Sequence, residues 1–228
     1  MVVWIHGGAE VQPWWRRSYN ITDEEQLAVE KERSTRRLEF WRSVFADPPG
    51  DDVHFVFVSR YFADEVMQDV GVELPAHRYS IIHNPIDTEL FSYRPKDVEL
   101  RRKVLSVRPY ASRKYANDLA VDAVLALRDE PEFSAMTFRF VGDGPLFDET
   151  LAPLRDMPNV TLERRFLTQH EIVELHRQHG GVFLVPTRMD AQGGVPRRGH
   201  GLRPGSGDQR RRGCPRVRRR GVRRPRAR

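Results

Sequence analysis

The sequence predicts an α/β protein with parallel strands and helices on both sheet faces. Two observations predict it. Short apolar runs alternate with longer amphipathic segments along residues 1–187, the pattern of strand–helix–strand units. Nearly every apolar run also stops at a polar or glycine-containing cluster, and ligands of parallel sheets bind beyond the carboxyl ends of the strands.

The elements follow in order. Val2–Ile5 is an apolar run that stops at His6-Gly7-Gly8, which predicts a buried strand and a turn. Leu27–Phe45 spreads Leu27, Val29, Leu38, Phe40, Trp41, Val44 and Phe45 among charges, as a long surface helix does. His54–Val58 predicts a second strand, and Ser59 is placed to cap a helix over Arg60–Val70. Tyr79–Ile82 predicts a third strand, closed by His83-Asn84-Pro85, and Thr88–Pro95 a connector. Val104–Val107 opens a second unit, with a polar loop Arg108–Lys114 and a helix Asn117–Leu127. Thr137–Val141 is a strand ending in Gly142-Asp143-Gly144-Pro145. Phe147–Leu154 is helical, Val160–Glu163 a strand, and Thr168 caps a helix through His176. Gly181–Val185 is a further strand, ending at Pro186-Thr187.

A break follows Gly193. Residues 194–228 hold 14 Arg, seven Gly and four Pro, with no aromatic residue and one acid, Asp208. The whole chain carries +6, the tail +13, so residues 1–193 carry −7. The high isoelectric point therefore belongs to the tail and says nothing of the body's partners. The tail's composition cannot build a core and predicts disorder. Cys214 is the one cysteine, which excludes a disulfide framework or a cysteine-based metal site within one chain. The first residues lack the charged start and apolar core of a signal peptide, and no run is long enough to span a bilayer. The expectation is a cytoplasmic protein, at most peripheral to the membrane.

Arg108 and Lys114 bracket one strand-to-helix loop with Arg113 beside them, and cations at a helix start suit a diphosphate. A solvated basic loop is the plainer alternative. Gly142 and Gly144 let backbone approach a ligand, or make a tight turn. No third glycine completes a dinucleotide fingerprint, and no Gly-Lys-Ser/Thr phosphate loop occurs. Asp190, in Asp190-Ala191-Gln192-Gly193, could accept from sugar hydroxyls or cap a helix. His6 is a ligand contact or a turn residue.

Taken together, Ser106-Val107-Arg108 through Lys114, Val141–Pro145 and Phe183–Gly193 resemble the C-terminal half of retaining glycosyltransferases of GT-B fold, family 4. Ile81–Phe91 is similar to that family's interdomain segment, Val56–Ser59 to the end of its N-terminal domain, and Val2–His6 to the strand whose histidine contacts the donor sugar. The resemblance implies residues 1–91 as the remnant of an acceptor-side Rossmann-like domain with the interdomain segment. Residues 92–193 become an incomplete nucleotide-sugar-binding domain. It implies that Arg108 and Lys114 neutralise the departing diphosphate, with Arg113 sharing the role because the gap is one residue long. Gly142, Gly144 and Pro145 would line the donor pocket, and backbone near Phe166 and Leu167 would meet the base. Asp190 matches the first acid of a Glu-x7-Glu motif, and Gln192 and Gly193 would offer backbone to sugar or phosphates. The donor is then a nucleotide-diphospho-sugar, needed without metal or other cofactor. The acceptor is open among glycan, lipid and small molecule, and the oligomeric state is unread.

The chain departs from the family where the second acid should stand, because Arg198 is there. Codons CGN CGN GGN CAY GGN CTN CGN CCN for Arg197–Pro204, read one base later, permit Ala-Glu-Ala-Met-Ala-Ser-Gly-Leu, with glutamate at position 198. The expectation is a fragment, shortened at its N-terminus, with an extra base near the codons for Gly193 and Gly194, and with little transferase activity. Two other classes stay open. A genuine tail would bind nucleic acid or another acidic surface by charge, although no aromatic is interleaved with its arginines. Another nucleotide-binding enzyme, such as an epimerase, would need a complete glycine fingerprint on the first strand, which is absent.

Overall fold

The computed structural model describes residues 1–7, 11–50, 52–93, 95–179 and 181–192. Gly193 and the arginine-rich segment after it lie outside the described residues.

Two separate parallel sheets form. The first is β1 (Val2–Ile5), β2 (His54–Phe57) and β3 (Tyr79–Ile81), side by side in that order. Ile5 stands opposite Phe57, and Phe57 opposite Ile81. Helices α1 (Glu24–Ala46) and α2 (Arg60–Val70) flank β2 in sequence. Asp23 caps α1 by accepting from the Gln26 N–H, and Ser59 caps α2 by accepting from the Phe62 N–H. Gly71 ends α2 at φ +77°, a left-handed stop that glycine makes without strain. Phe45 of α1 packs edge-on against Phe55, their ring centres 5.0 Å apart, and Phe62 of α2 packs on Phe57.

Two expectations fail here for one reason. Both helices join a single core with Ile5, Phe55 and Phe57, so among the described residues they cover one face of this sheet rather than two. Among the described residues β1 lies at the edge of this sheet, with Val2 66% and Trp4 48% exposed on the opposite side. An apolar run does not distinguish an edge strand from a central one.

The second sheet has the order β6-β5-β4-β7, from β4 (Lys103–Val107), β5 (Thr137–Gly142), β6 (Val160–Arg164) and the short β7 (Val182–Phe183). Alternation sorts its two faces. Val104, Phe138 and Phe140 pack against α3 (Asn117–Ala126), α4 (Phe147–Leu151) and the turn Ala152–Leu154. Leu105 and Val141 pack against Leu167 and Leu175, the latter on α5 (Gln169–Gln178). Here helices cover both faces as expected. A reciprocal box starts α5: the Glu171 N–H donates to the Thr168 hydroxyl and the Thr168 N–H donates to the Glu171 carboxylate. Arg139 shares the α5 side, paired with Glu163 and donating to His179 Nε2 over 2.8 Å. Burial and the neighbouring guanidinium hold His179 below the usual imidazole range.

Residues 82–102 join the sheets, and residue 91 lies within this stretch. No described helix is long and apolar enough to cross a membrane.

Phe140 is 1% exposed at the centre of the larger core of the second unit. Phe140→Ala should cost about 3–5 kcal/mol, read as a lowered urea midpoint. An unchanged midpoint would show that this core does not carry the fold.

Candidate functional site

The carboxyl ends of the two sheets meet. His6 follows β1, Ser59 lies just beyond β2, and Asn84 follows β3. Residues 184–192 follow β7 and reach Ser59 and Asn84. The Gln192 amide oxygen accepts from the Asn84 N–H at 2.6 Å, and its nitrogen donates to the Asn84 carbonyl at 3.2 Å. His6 Nε2 donates to Asn84 Oδ1 at 2.9 Å. The Ser59 hydroxyl, besides capping α2, donates to the Ala191 carbonyl. The His83 ring donates to the Val58 carbonyl at 2.7 Å, tying the end of β3 back to β2. Gln192 thus engages Asn84 through its side chain.

On the other rim, Arg108 continues the β4 ladder, its N–H donating to the Val141 carbonyl. It is only 3% exposed. Its guanidinium donates to the Pro186 carbonyl at 2.9 Å and sits 5.1 Å from the Tyr115 ring centre. Nε has no partner, and among the described residues no carboxylate lies within ion-pair distance. Burial pulls its pKa below the usual arginine range, while Asp190 pulls the other way. The guanidinium stays protonated, so it is a buried positive charge with an acid in its field but none in contact.

Arg113, Lys114 and Tyr115 form a tight turn capped by the Ser112 hydroxyl, which accepts from the Lys114 N–H. Lys114 Nζ lies 4.8 Å from the Tyr115 ring centre, and Arg113 makes an exposed ion pair with Glu149 at 3.7 Å. Ala116 then adopts φ +52°, a left-handed conformation that strains any residue with a Cβ, before α3 begins. Asp190 accepts from the Gln192 N–H at 3.0 Å within its own turn.

Gly142 and Gly144 serve a close approach of two loops. A Cβ on Gly142 would lie 1.9 Å from the Arg108 carbonyl oxygen, and one on Gly144 2.3 Å from the Tyr110 carbonyl carbon. Tyr110 itself is 1% exposed and burial pushes its phenol pKa up. Pro145 is exposed beside this contact. Phe166 stands 83% exposed beyond β6, while Leu167 is buried in the core. Gly193 is outside the described residues.

Three site residues escaped the sequence reading. Asn20 Oδ1 accepts from the Ser112 hydroxyl at 3.0 Å and from the Arg113 N–H at 3.1 Å. Arg188 grips Asp118 with both terminal guanidinium nitrogens and donates to the Arg113 carbonyl, while its backbone N–H donates to the Lys114 carbonyl. That grip holds the Asp118 carboxyl below the usual carboxylate range. Asn84 was read as the end of a strand and as part of the interdomain segment, not as a site residue. An asparagine just past an apolar run was the available signal.

Among the described residues no three His, Cys, Asp or Glu side chains gather as a metal site. No protein-family model and no curated protein matches the chain. Among solved structures it is similar to WaaG, a glycosyltransferase involved in lipopolysaccharide biosynthesis, at 16% identity and TM-score 0.56, over 87% of this chain and 53% of that one. A weaker similarity, at 14% identity and TM-score 0.40, links 57% of this chain and 24% of a TarM mutant from S. aureus, in complex with Fondaparinux, alpha-GlcNAc-glycerol and UDP. The chain thus spans about half of WaaG and about a quarter of TarM. The likeness to WaaG is one of fold, a GT-B-like α/β arrangement with parallel sheets.

Gly144→Ala should displace the loop 108–111 and cost more than about 2 kcal/mol, since both backbone strain and overlap oppose it. Chemical denaturation and amide shifts of residues 108–116 check this. A variant with parental stability and shifts would show that the two loops are not interlocked.

Proposed function

We propose that this chain is built for glycosyl transfer from a nucleotide-diphospho-sugar donor, with retention at the anomeric carbon. The observation that carries this is Arg108. A buried guanidinium without a contacting acid, at the carboxyl end of a strand and beside a second cationic turn, suits a diphosphate.

The roles follow from position. Arg108 and Lys114 take up charge as the diphosphate leaves, with Arg113 able to assist. The reading assigns that charge to side chains and a helix start rather than to a metal. Asp190 accepts from the donor sugar's hydroxyls, and His6 meets the sugar from the opposite rim. Phe166 and the backbone of Leu167 flank the nucleobase. Gln192 closes the rims through Asn84. The acceptor enters from the side of the first sheet. Arg198 stands where a second acid is expected, and we read residues 194–228 as translated one base out of frame. The chain as given should therefore bind donor without turning it over.

Two measurements test this. Calorimetry on the full chain with UDP, GDP and ADP should show binding of at least one. Arg108→Gln or Lys114→Ala should weaken it about tenfold, the worth of one charge-assisted hydrogen bond. Unchanged affinity in both variants, or no binding of any diphosphate, would overturn the donor site. Second, the chain as given should release no nucleoside diphosphate from sugar donors, and removing one base at the codons for residues 193–194 should restore release. Turnover by the chain as given would refute the out-of-frame reading.

A further inference from the structure

A cavity of about 380 Å³ opens between the short turn Trp14–Asn20 and the first half of α1. That volume is in the range of small-molecule sites. Trp14 borders it and is well fixed. Its N–H donates to the Ser34 hydroxyl at 2.9 Å, Lys31 Nζ stands 5.1 Å from its ring centre, and Trp15 packs edge-on at 6.0 Å. The remaining lining is mixed, with aliphatic surface from Ile21 and Val29 among polar groups. Arg17 and Arg33 are balanced by Glu25 and Glu30, and Asn20 and Gln26 add neutral amides.

This chemistry selects among ligands. Balanced charge favours neither a polyanion, such as a nucleotide, nor a polycation. A lipid tail laid on the apolar patches of Trp14, Ile21 and Val29 would desolvate the four charged groups around them, which disfavours it. An indole beside amides, carboxylates and guanidinia offers an apolar surface to ring C–H groups, with donors and acceptors for neighbouring hydroxyls. The cavity also touches the proposed donor site. Asn20 lines it and at the same time holds the Ser112 hydroxyl and the Arg113 N–H. One residue earlier, the Tyr19 hydroxyl reaches Met189 Sδ at 3.4 Å, beside Asp190.

We propose that the cavity bounded by Trp14, Arg17, Asn20, Gln26 and Glu30 binds a neutral saccharide and is coupled through Asn20 to the cationic turn. Calling this saccharide the acceptor rests on the transfer reading; its binding does not. Asn20 can donate from Nδ2 to a sugar hydroxyl while Oδ1 keeps the turn in place. A bound sugar then fixes Asn20, and the turn's N–H groups are held ready for the diphosphate. By linkage, each ligand raises the affinity of the other.

The test uses the full chain. Saturation-transfer NMR with glucose, galactose, N-acetylglucosamine and lactose should detect binding of at least one. Trp14→Phe and Gln26→Ala should each weaken it about fivefold or more. Gln26 is an exposed surface residue whose side chain accepts one long hydrogen bond, from the Thr22 N–H at 3.4 Å, while the Asp23 cap uses its backbone N–H, so Gln26→Ala should lower the urea midpoint little and separate loss of site from loss of fold. Binding by none of the four, or equal binding in both variants, would overturn the site. In calorimetry the bound sugar should raise affinity for UDP, GDP or ADP about fivefold, the low end of allosteric coupling, and Asn20→Ala should abolish that increase. Sugar binding with an unchanged diphosphate affinity would overturn the coupling. Sugar binding without any diphosphate binding would sink the donor reading and leave the saccharide site standing.

Discussion

A buried positive charge organises the second unit. Arg108 leaves the end of β4 with its guanidinium out of water, one carbonyl for a direct partner, an aromatic ring beside it and Nε unpaired. Desolvating a charge is expensive, and a protein keeps such an arrangement only where something offsets it. Asp190 supplies part of the offset from a distance, which ties the loop after β7 to the end of β4 by field as well as by contact. The Tyr115 ring, the strained Ala116 and the Arg188–Asp118 pair then follow as the structure needed to hold the neighbouring turn.

The same loop after β7 makes the second junction. Gln192 occupies both backbone groups of Asn84, and Asn84 in turn receives His6. These groups come from residues 6, 84 and 192. They coincide because parallel strands deliver all their carboxyl ends to one rim, and the two rims face each other. On the far side of the turn, Asn20 bridges the units again. The cationic turn is therefore held from the first unit by Asn20 and from β7 by Arg188.

Much of this was readable from residue order alone. Ser59 and Thr168 announced their helices because a cap is a local hydrogen bond between near neighbours. Arg108, Lys114 and Asp190 stood out because they lie in loops that follow apolar runs. What escaped depended on distant parts of the chain. The turn Trp14–Asn20 has no periodicity to betray it. The exposure of Val2 and Trp4 depends on which face of β1 the helices choose. Asn20 gains its role only when a loop some ninety residues away arrives beside it. The strand expected over Gly181–Val185 shrank to Val182–Phe183, because pairing with β4 covers only those two positions.

The contact of Gly142 and Gly144 with the backbone of residues 108–111 has a mechanical consequence. Two main chains that touch with no side chain between them cannot slide or pivot separately. The turn after β5 and the start of the cationic loop thus behave as one stiff block, riding on the two central strands of their sheet. Any adjustment to an incoming ligand must be taken up on either side of that block, around Ala116 or in the segment leading from β3. Length changes within residues 109–111 or 143–144 would jam the block.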